Sequence, residues 1–164
     1  MRYGAASIVP YTSPTCIDTI KAVSTPIGSL RHALDCITDA DSATVCFGAL
    51  GRTGGRYVCL EAFDESWRTR RAVRVEVVLG YEMWGKRVLL GKDEMIYSRP
   101  ANEQKLQAII QWTGEMQRLL EKGLIKPHPQ KEVGHCWEGI IQGLNMLKNG
   151  EVRGCKLVVR IAKS

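Results

Sequence analysis

The fold is decided by residues 31–60, RHALDCITDADSATVCFGALGRTGGRYVCL. Residues 31–37 are apolar enough to predict a buried strand, and the polar run at 38–42 offers several side chains that can cap a helix reaching about Leu50. Residues 56–60 then predict a second strand. A strand, a helix and another strand in this order are typical of a parallel α/β layer structure.

The same alternation of strands and helices extends to both sides of this stretch. The predicted elements are a strand at residues 8–9, a helix on Ile17, Ile20 and Val23, a strand at 73–79, helices at about 102–122 and 137–147, and a strand at 156–161. Residues 125–133 contain two prolines and predict an irregular extended stretch. We therefore predict the α/β class, with a mostly parallel sheet and flanking helices.

The composition is that of an ordinary globular chain, because 45% of the 164 residues are hydrophobic and 24% are charged. This length predicts one folded domain rather than a disordered segment. No apolar run approaches the length of a membrane span, and the residues after Met1 do not form an apolar signal core. We expect a cytoplasmic protein without a membrane partner.

The net charge of +6 favours acidic partners, and the densest basic stretch, residues 68–74, carries four arginines. The sequence has no zinc-finger spacing, no ribonucleoprotein motif and no basic heptad array, so nucleic acid is not an expected partner. A solvated basic face is the simpler interpretation of this stretch. Contact with an acidic protein is the functional alternative.

The six cysteines and three histidines show no metal-binding spacing. No two cysteines form a C-x-x-C pair and no H-E-x-x-H motif is present, so we predict no metal site. Cys36, Cys46 and Cys59 lie among apolar residues and are expected to be buried thiols.

The glycine-rich segment at residues 48–55, GALGRTGG, invites comparison with phosphate-binding loops. A dinucleotide-binding loop follows a strand and opens a helix, whereas this segment closes a predicted helix and opens a predicted strand. The P-loop pattern G-x-x-x-x-G-K-[ST] is also absent. We predict that the segment is a structural turn.

Four segments occur in the order found in one enzyme superfamily: residues 33–38 (ALDCIT), 51–58 (GRTGGRYV), 123–128 (GLIKPH) and 154–159 (GCKLVV). They resemble medium-chain, quinone-oxidoreductase-like reductases, and most of all the zinc-independent, trans-acting enoyl reductases that serve fungal polyketide synthases. The resemblance corresponds to the carboxy-terminal half of that family. It implies a partial Rossmann-like fold that lacks the first strand and the Gly-rich loop.

The resemblance also implies a domain organisation and a function. Residues 1–100 would form a partial nucleotide-binding domain, and residues 101–164 the last Rossmann helix and the closing segment of a GroES-like catalytic domain. The family reduces an enoyl chain on a polyketide synthase with NADPH, so the implied cofactor is NADPH and the implied partner is the synthase or its acyl carrier domain. The chain looks truncated and is expected to be inactive alone. The alternatives are a non-catalytic docking remnant and an incomplete gene model without independent activity.

Site residues are carried over from the resemblance position by position, and no catalytic residue is among them. The implied cofactor-binding residues are Tyr11, Leu60, Glu61, Arg153 and Gly154, and the implied acyl-substrate-lining residues are Tyr81, Glu82, Met83, Trp84 and Gly85. Each has a structural alternative: Tyr11 would cover a sheet edge, Leu60 would be core, and Met83 and Trp84 would pack against other apolar groups or form an interface where the absent domain would sit.

Overall fold

A computed structural model describes residues 4–90 and 95–161 of the chain. The chain divides into two compact units, the first ending at Thr113 and the second beginning at Gly114. The helices and strands of the first unit are α1 (Cys16–Ser24), β1 (His32–Asp35), α2 (Ala40–Ala49), β2 (Gly55–Cys59) and β3 (Val73–Val77). Helix α3 (Glu103–Glu121) contains the boundary, and β4 (Gln130–His135), α4 (Cys136–Lys148) and β5 (Lys156–Arg160) belong to the second unit.

The first unit is built on a parallel three-stranded sheet in the order β1-β2-β3. Helix α2 connects β1 to β2 and packs Ala43 and Phe47 against the sheet, where both are fully buried. Phe47, Tyr57 and Phe63 form an aromatic cluster with ring centroids 5.1 to 6.0 Å apart. The predicted parallel α/β arrangement is confirmed, and the core lies between α2 and one face of the sheet.

Local capping explains why α2 begins where the sequence predicts. The Asp39 side chain accepts a hydrogen bond from the Ser42 amide at 2.8 Å, and the Ser42 hydroxyl accepts one from the Asp39 amide at 3.0 Å. This reciprocal pair is a capping box, which satisfies two backbone donors that the first helical turn leaves without intrahelical partners.

Strand β1 is shorter and more exposed than predicted. It ends at Asp35 rather than at residue 37, and the side chain of Leu34 is 63% exposed. Ile37 and Cys36 are exposed as well, so the expectation of a buried Cys36 thiol is wrong. The reason is that, among the residues that the structure describes, β1 pairs with β2 alone, while α2 covers one face of the sheet. The predicted strand at residues 8–9 is also wrong, since these residues are irregular.

The second unit contains a parallel pair of strands, β4 and β5, joined by α4. Gly139 lets α4 approach the sheet closely, because a Cβ atom there would lie 2.7 Å from the Val133 carbonyl oxygen and 2.8 Å from the Val159 side chain. The prediction of an irregular stretch at 125–133 is wrong from Gln130 onward, where β4 begins. The predicted helices at 102–122 and 137–147 are confirmed by α3 and α4.

Candidate functional site

The predicted ligand-binding residues of the first unit follow the carboxyl ends of its strands. Because β1, β2 and β3 are parallel, Asp35, Cys59 and Val77 end at the same edge of the sheet. In open α/β sheets this edge is where ligands bind. The segments that leave it are the turn after β1, residues 60–63, and the 3₁₀ turn Gly80–Trp84.

The turn after β1 is organised by the buried carboxylate of Asp35. It accepts hydrogen bonds from the amides of Ile37 and Thr38 at 2.9 Å, and from the hydroxyls of Ser42 and Tyr57 at 2.8 Å. Burial acts to raise the pKa of Asp35, but the hydrogen bonds outweigh it and hold that pKa below its usual value. The same burial, together with the neighbouring Asp35 charge, raises the pKa of Tyr57.

This network was missed by sequence reasoning, although a signal for it was present. Asp35 interrupts an apolar strand directly before a helix-capping run, and a carboxylate in such a position needs several donors to be buried. Thr38, which donates from its amide, has a φ of 63°. A non-glycine residue in this region indicates a turn that its contacts hold in place.

Leu60 and Glu61 lie just beyond β2 and face outward. The side chain of Leu60 is 45% exposed, so it is not part of the core. The Glu61 carboxylate accepts a hydrogen bond from the Ala62 amide at 2.8 Å and another from the Tyr97 side chain. These two donors lower the pKa of Glu61, which is therefore a charged and oriented acceptor at the edge of the sheet.

Glu82 serves as an anchor within the predicted substrate-lining segment. It is only 7% exposed, accepts a hydrogen bond from the Leu79 amide at 2.9 Å, and forms ion pairs with Lys105 at 2.7 Å and Arg99 at 3.2 Å. Burial acts to raise the pKa of Glu82, and the contacts with Lys105, Leu79 and Arg99 overcome this and lower it. Because its carboxylate is fully engaged, Glu82 fixes the segment and is not free to contact a ligand.

The other residues of the segment divide between packing and exposure. Trp84 is 67% exposed, and Met83 is half-buried. Gly85 has a φ of 68°, and a Cβ atom there would lie 2.8 Å from the Leu106 side chain. The turn therefore packs its glycine against α3 and leaves Trp84 open to solvent.

Tyr97 brings the two predicted groups together. Its backbone carbonyl accepts a hydrogen bond from the Tyr81 hydroxyl at 2.5 Å, and its side chain contacts the Glu61 carboxylate. The predicted cofactor-facing pair, Leu60 and Glu61, is thus connected to the predicted acyl-lining turn. No local pattern in the sequence pointed to Tyr97, since its partners are distant along the chain.

The remaining predicted residues lie before α1 or in the other unit. Tyr11 is 83% exposed and belongs to the irregular segment before α1. Arg153 and Gly154 belong to the second unit, in the turn between α4 and β5, where Gly154 has a φ of 64°. The proposed contacts of these three residues with a cofactor stay predictions.

A cavity of about 790 Å³ lies at the opposite, amino-terminal edge of the sheet, where α1 and α2 end. The Arg70 guanidinium donates hydrogen bonds to the carbonyls of Phe47 and Leu50 at 2.9 Å and also to that of Gly51. A cation at the carboxyl end of a helix offsets its partial negative charge. The Arg70 side chain therefore stabilises the end of α2.

The basic stretch at residues 68–74 is only partly a solvated face. Arg68 pairs with Glu65 at 2.6 Å and donates to the Val73 carbonyl at 3.0 Å. Arg70 donates to the backbone carbonyls at the end of α2. Arg71 and Arg74 are exposed. An acidic partner would meet two arginines here rather than four.

Within residues 4–90 and 95–161, no three His, Cys, Asp or Glu side chains are close enough to hold a metal ion. No helix in those ranges is long and apolar enough to cross a membrane.

The fold and the carboxyl edge define a class of protein. The first unit has parallel strands joined by a helical crossover, with oriented polar groups where the strands end. These features define a partial Rossmann-like α/β structure. No protein-family model matches the chain. Comparison with curated proteins is more specific.

Three fungal relatives carry the name trans-enoyl reductase. The protein calK of Penicillium decumbens is 48% identical over 162 residues, which are 98% of this chain and 42% of the relative. The protein sthE of Phaeosphaeria nodorum is 46% identical over 164 residues, all of this chain and 44% of the relative. The protein ffsC of Aspergillus flavipes is 39% identical over 159 residues, which are 97% of this chain and 42% of the relative.

The chain is therefore a homologue of the fungal trans-enoyl reductases, as the sequence resemblance predicted. It spans less than half the length of these relatives.

Proposed function

We propose that this chain is part of an enoyl reductase of fungal polyketide biosynthesis and corresponds to the carboxy-terminal half of the family. In this proposal it supplies one wall of a cleft in which a nicotinamide cofactor and the acyl chain of a polyketide synthase meet. The observation that carries the proposal is the connection of Leu60 and Glu61 to the turn Gly80–Trp84 at the carboxyl edge of a parallel sheet.

The residues at this edge suit the nicotinamide side of NADPH. Leu60 offers an exposed apolar surface for a flat ring, and the Glu61 carboxylate can accept hydrogen bonds from an amide or a ribose hydroxyl. When bound, NADPH would supply the hydride that reduces the enoyl double bond.

The start of α2 does not fit the phosphates of NADPH. At the amino-terminal end of α2 the Asp39 side chain already accepts the Ser42 amide, and the Asp35 carboxylate accepts the amides of Ile37 and Thr38. Two carboxylates therefore occupy the donors that a pyrophosphate would need at a helix start. We propose that the phosphate site, and with it tight cofactor binding, comes from the part of the reductase that this chain does not cover.

Met83 and Trp84 are the proposed acyl contacts. Trp84 presents a large apolar ring to solvent, and the turn that carries it is fixed by the ion pairs of Glu82. An apolar surface on a fixed support suits the alkyl part of a polyketide chain. The partner in this proposal is the synthase, acting through its acyl carrier domain, and a cytoplasmic location stays a prediction.

The experiment is reconstitution of enoyl reduction. The chain is mixed with the portion of calK that it does not cover, and NADPH oxidation is followed with a branched or linear enoyl thioester. We expect turnover by the mixture and none by either part, because hydride transfer needs the donor and the enoyl carbon at near-attack distance. A mixture without turnover would overturn the proposal.

A matched pair of variants tests the acyl wall in the same assay. We expect Trp84→Ala to lower kcat/KM by about tenfold or more, since burying an aromatic side chain contributes about 1.5–3 kcal/mol. Trp112→Ala is the control, because Trp112 is 58% exposed on α3 and is not among the predicted site residues. Equal losses in the two variants would rule out a specific acyl contact at Trp84.

A further inference from the structure

We propose that Tyr97 is a positioning residue, which fixes the acyl-lining turn Gly80–Trp84 relative to the cofactor-facing residues Leu60 and Glu61. The proposal rests on the proposed function, because it assigns a role in bringing donor and acceptor together. It is carried by one residue that contacts both groups, through its side chain to Glu61 and through its backbone carbonyl to Tyr81.

The segment that carries Tyr97 is itself held in place. Tyr97 ends the 3₁₀ turn Met95–Tyr97, and two residues later Arg99 exchanges backbone hydrogen bonds with Val88, both at 2.9 Å. The Arg99 guanidinium then pairs with the buried Glu82 at 3.2 Å. The segment that carries Tyr97 therefore makes two contacts with the acyl-lining turn, one from the Tyr97 carbonyl to Tyr81 and one from Arg99 to Glu82.

The need for such a connection follows from where the sheet ends. Backbone pairing continues past β3 as far as the hydrogen bond from the Val78 amide to the Cys59 carbonyl, at 2.9 Å. Beyond that point the chain leaves the sheet and turns at Gly80–Trp84. Beyond this last backbone pairing, Tyr97 contacts both Tyr81 of the turn and Glu61, and so connects the two.

The chemical consequence is a fixed spacing at the edge. Hydride transfer tolerates little change in geometry, because reacting atoms need to be about 3–3.5 Å apart and aligned. A turn that moved relative to Leu60 would carry the acyl chain with it. Tyr97 acts through Glu61 and Tyr81 and need not contact substrate or cofactor itself.

Two substitutions separate the contacts. Tyr97→Phe keeps the ring and the backbone carbonyl but removes the hydroxyl that contacts Glu61. Tyr81→Phe removes the hydroxyl that donates to the Tyr97 carbonyl and leaves the Glu61 contact intact. Both changes delete one oxygen atom.

The first measurement uses the chain alone. NMR titration of the Glu61 carboxyl should show a higher pKa in Tyr97→Phe than in the wild type, because one of two donors to the carboxylate is lost, with no such rise in Tyr81→Phe. In Tyr97→Phe, the amide resonances of residues 60–62 and of residues 81–85 should both shift relative to the wild type. An unchanged Glu61 pKa, with shifts confined to residues near 97, would overturn the proposal.

The second measurement uses the reconstituted reductase. We expect Tyr97→Phe and Tyr81→Phe to lower kcat by about tenfold while the NADPH dissociation constant stays within about twofold, since positioning acts on the reacting geometry. Wild-type kcat in Tyr97→Phe would overturn the proposal. Failure of the wild-type mixture to turn over would instead count against the proposed function, and the NMR titration would still decide whether Tyr97 makes the connection.

Discussion

At the scale of single residues, Asp35 shows how a carboxylate can be buried and remain charged. Four donors surround it, two from the backbone of the next turn and two from the hydroxyls of Ser42 and Tyr57. Hydrogen bonds to an ionised group contribute more than neutral ones, and leaving such a group without partners is costly. Asp35 thereby fixes the turn that follows β1.

We expect Asp35→Asn to lower the free energy of unfolding of the chain by about 2–4 kcal/mol, measured by urea denaturation at pH 7. An amide cannot accept from all four donors, so the network loses partners. Asp41→Asn is the control, because Asp41 is exposed in the first turn of α2, and it should change stability by less than about 1 kcal/mol.

The same residue predicts a pH dependence. The folded state lowers the pKa of Asp35 below its usual value of 3.8, so the charged form contributes stability above that pH. This contribution is lost as the pH falls below about 3.8 and through the folded-state pKa. Stability measured from pH 6 to pH 2 should fall less steeply in Asp35→Asn than in the wild type, and parallel curves would contradict the assignment.

Single residues also show which contacts a local sequence pattern does not predict. The resemblance implies a substrate-lining role for Glu82, yet its side chain is buried and paired with Lys105 and Arg99, which are distant in sequence. No local pattern predicts a role for Tyr97, because its contacts with Glu61 and Tyr81 form only when the chain has folded. Local patterns carry no information about such pairs.

At the scale of elements, local signals predicted most helices and strands. The capping box before α2 and the apolar stripe of α3 depend on residues a few positions apart, so their bounds could be predicted closely. Strand β4 was missed because its pairing partner, β5, follows only after α4. Strand β1 was predicted two residues too long at its carboxyl end and as a buried strand, since burial depends on neighbouring layers that a local pattern does not contain.

The glycine-rich segment before β2 is a structural turn, as predicted, and its glycines allow close packing of the backbone. Gly54 has a φ of 91°, and a Cβ atom there would lie 2.1 Å from the Ala72 carbonyl oxygen. At Gly55 the corresponding distance to the Arg31 carbonyl oxygen is 2.5 Å. Both glycines allow the backbones of neighbouring segments to approach each other.

We expect Gly54→Ala to lower the free energy of unfolding by about 3 kcal/mol or more, because the added carbon meets backbone and the φ is unfavourable for alanine. Gly114→Ala should instead raise it by about 1 kcal/mol, since Gly114 lies within α3 with open space around it. Thermal or urea denaturation of both variants provides the comparison. A neutral Gly54→Ala would contradict the structural role of the turn.

At the scale of the whole molecule, both units have incomplete layers. The sheet of the first unit leaves Leu34 exposed, and α4 in the second unit exposes an apolar stripe of Trp137, Ile141, Leu144 and Leu147. The named relatives are more than twice as long as the segment they share with this chain. These surfaces agree with the proposal that the rest of a reductase packs against the chain.

The central claim is that this chain supplies the nicotinamide and acyl side of a reductase site but not the phosphate side. NADPH titration by calorimetry tests it most directly, with the chain alone, the uncovered portion of calK alone, and the two together. We predict no saturable binding to the chain alone and tighter binding to the mixture than to the calK portion. Saturable micromolar binding to the chain alone, or no gain in the mixture, would contradict the account.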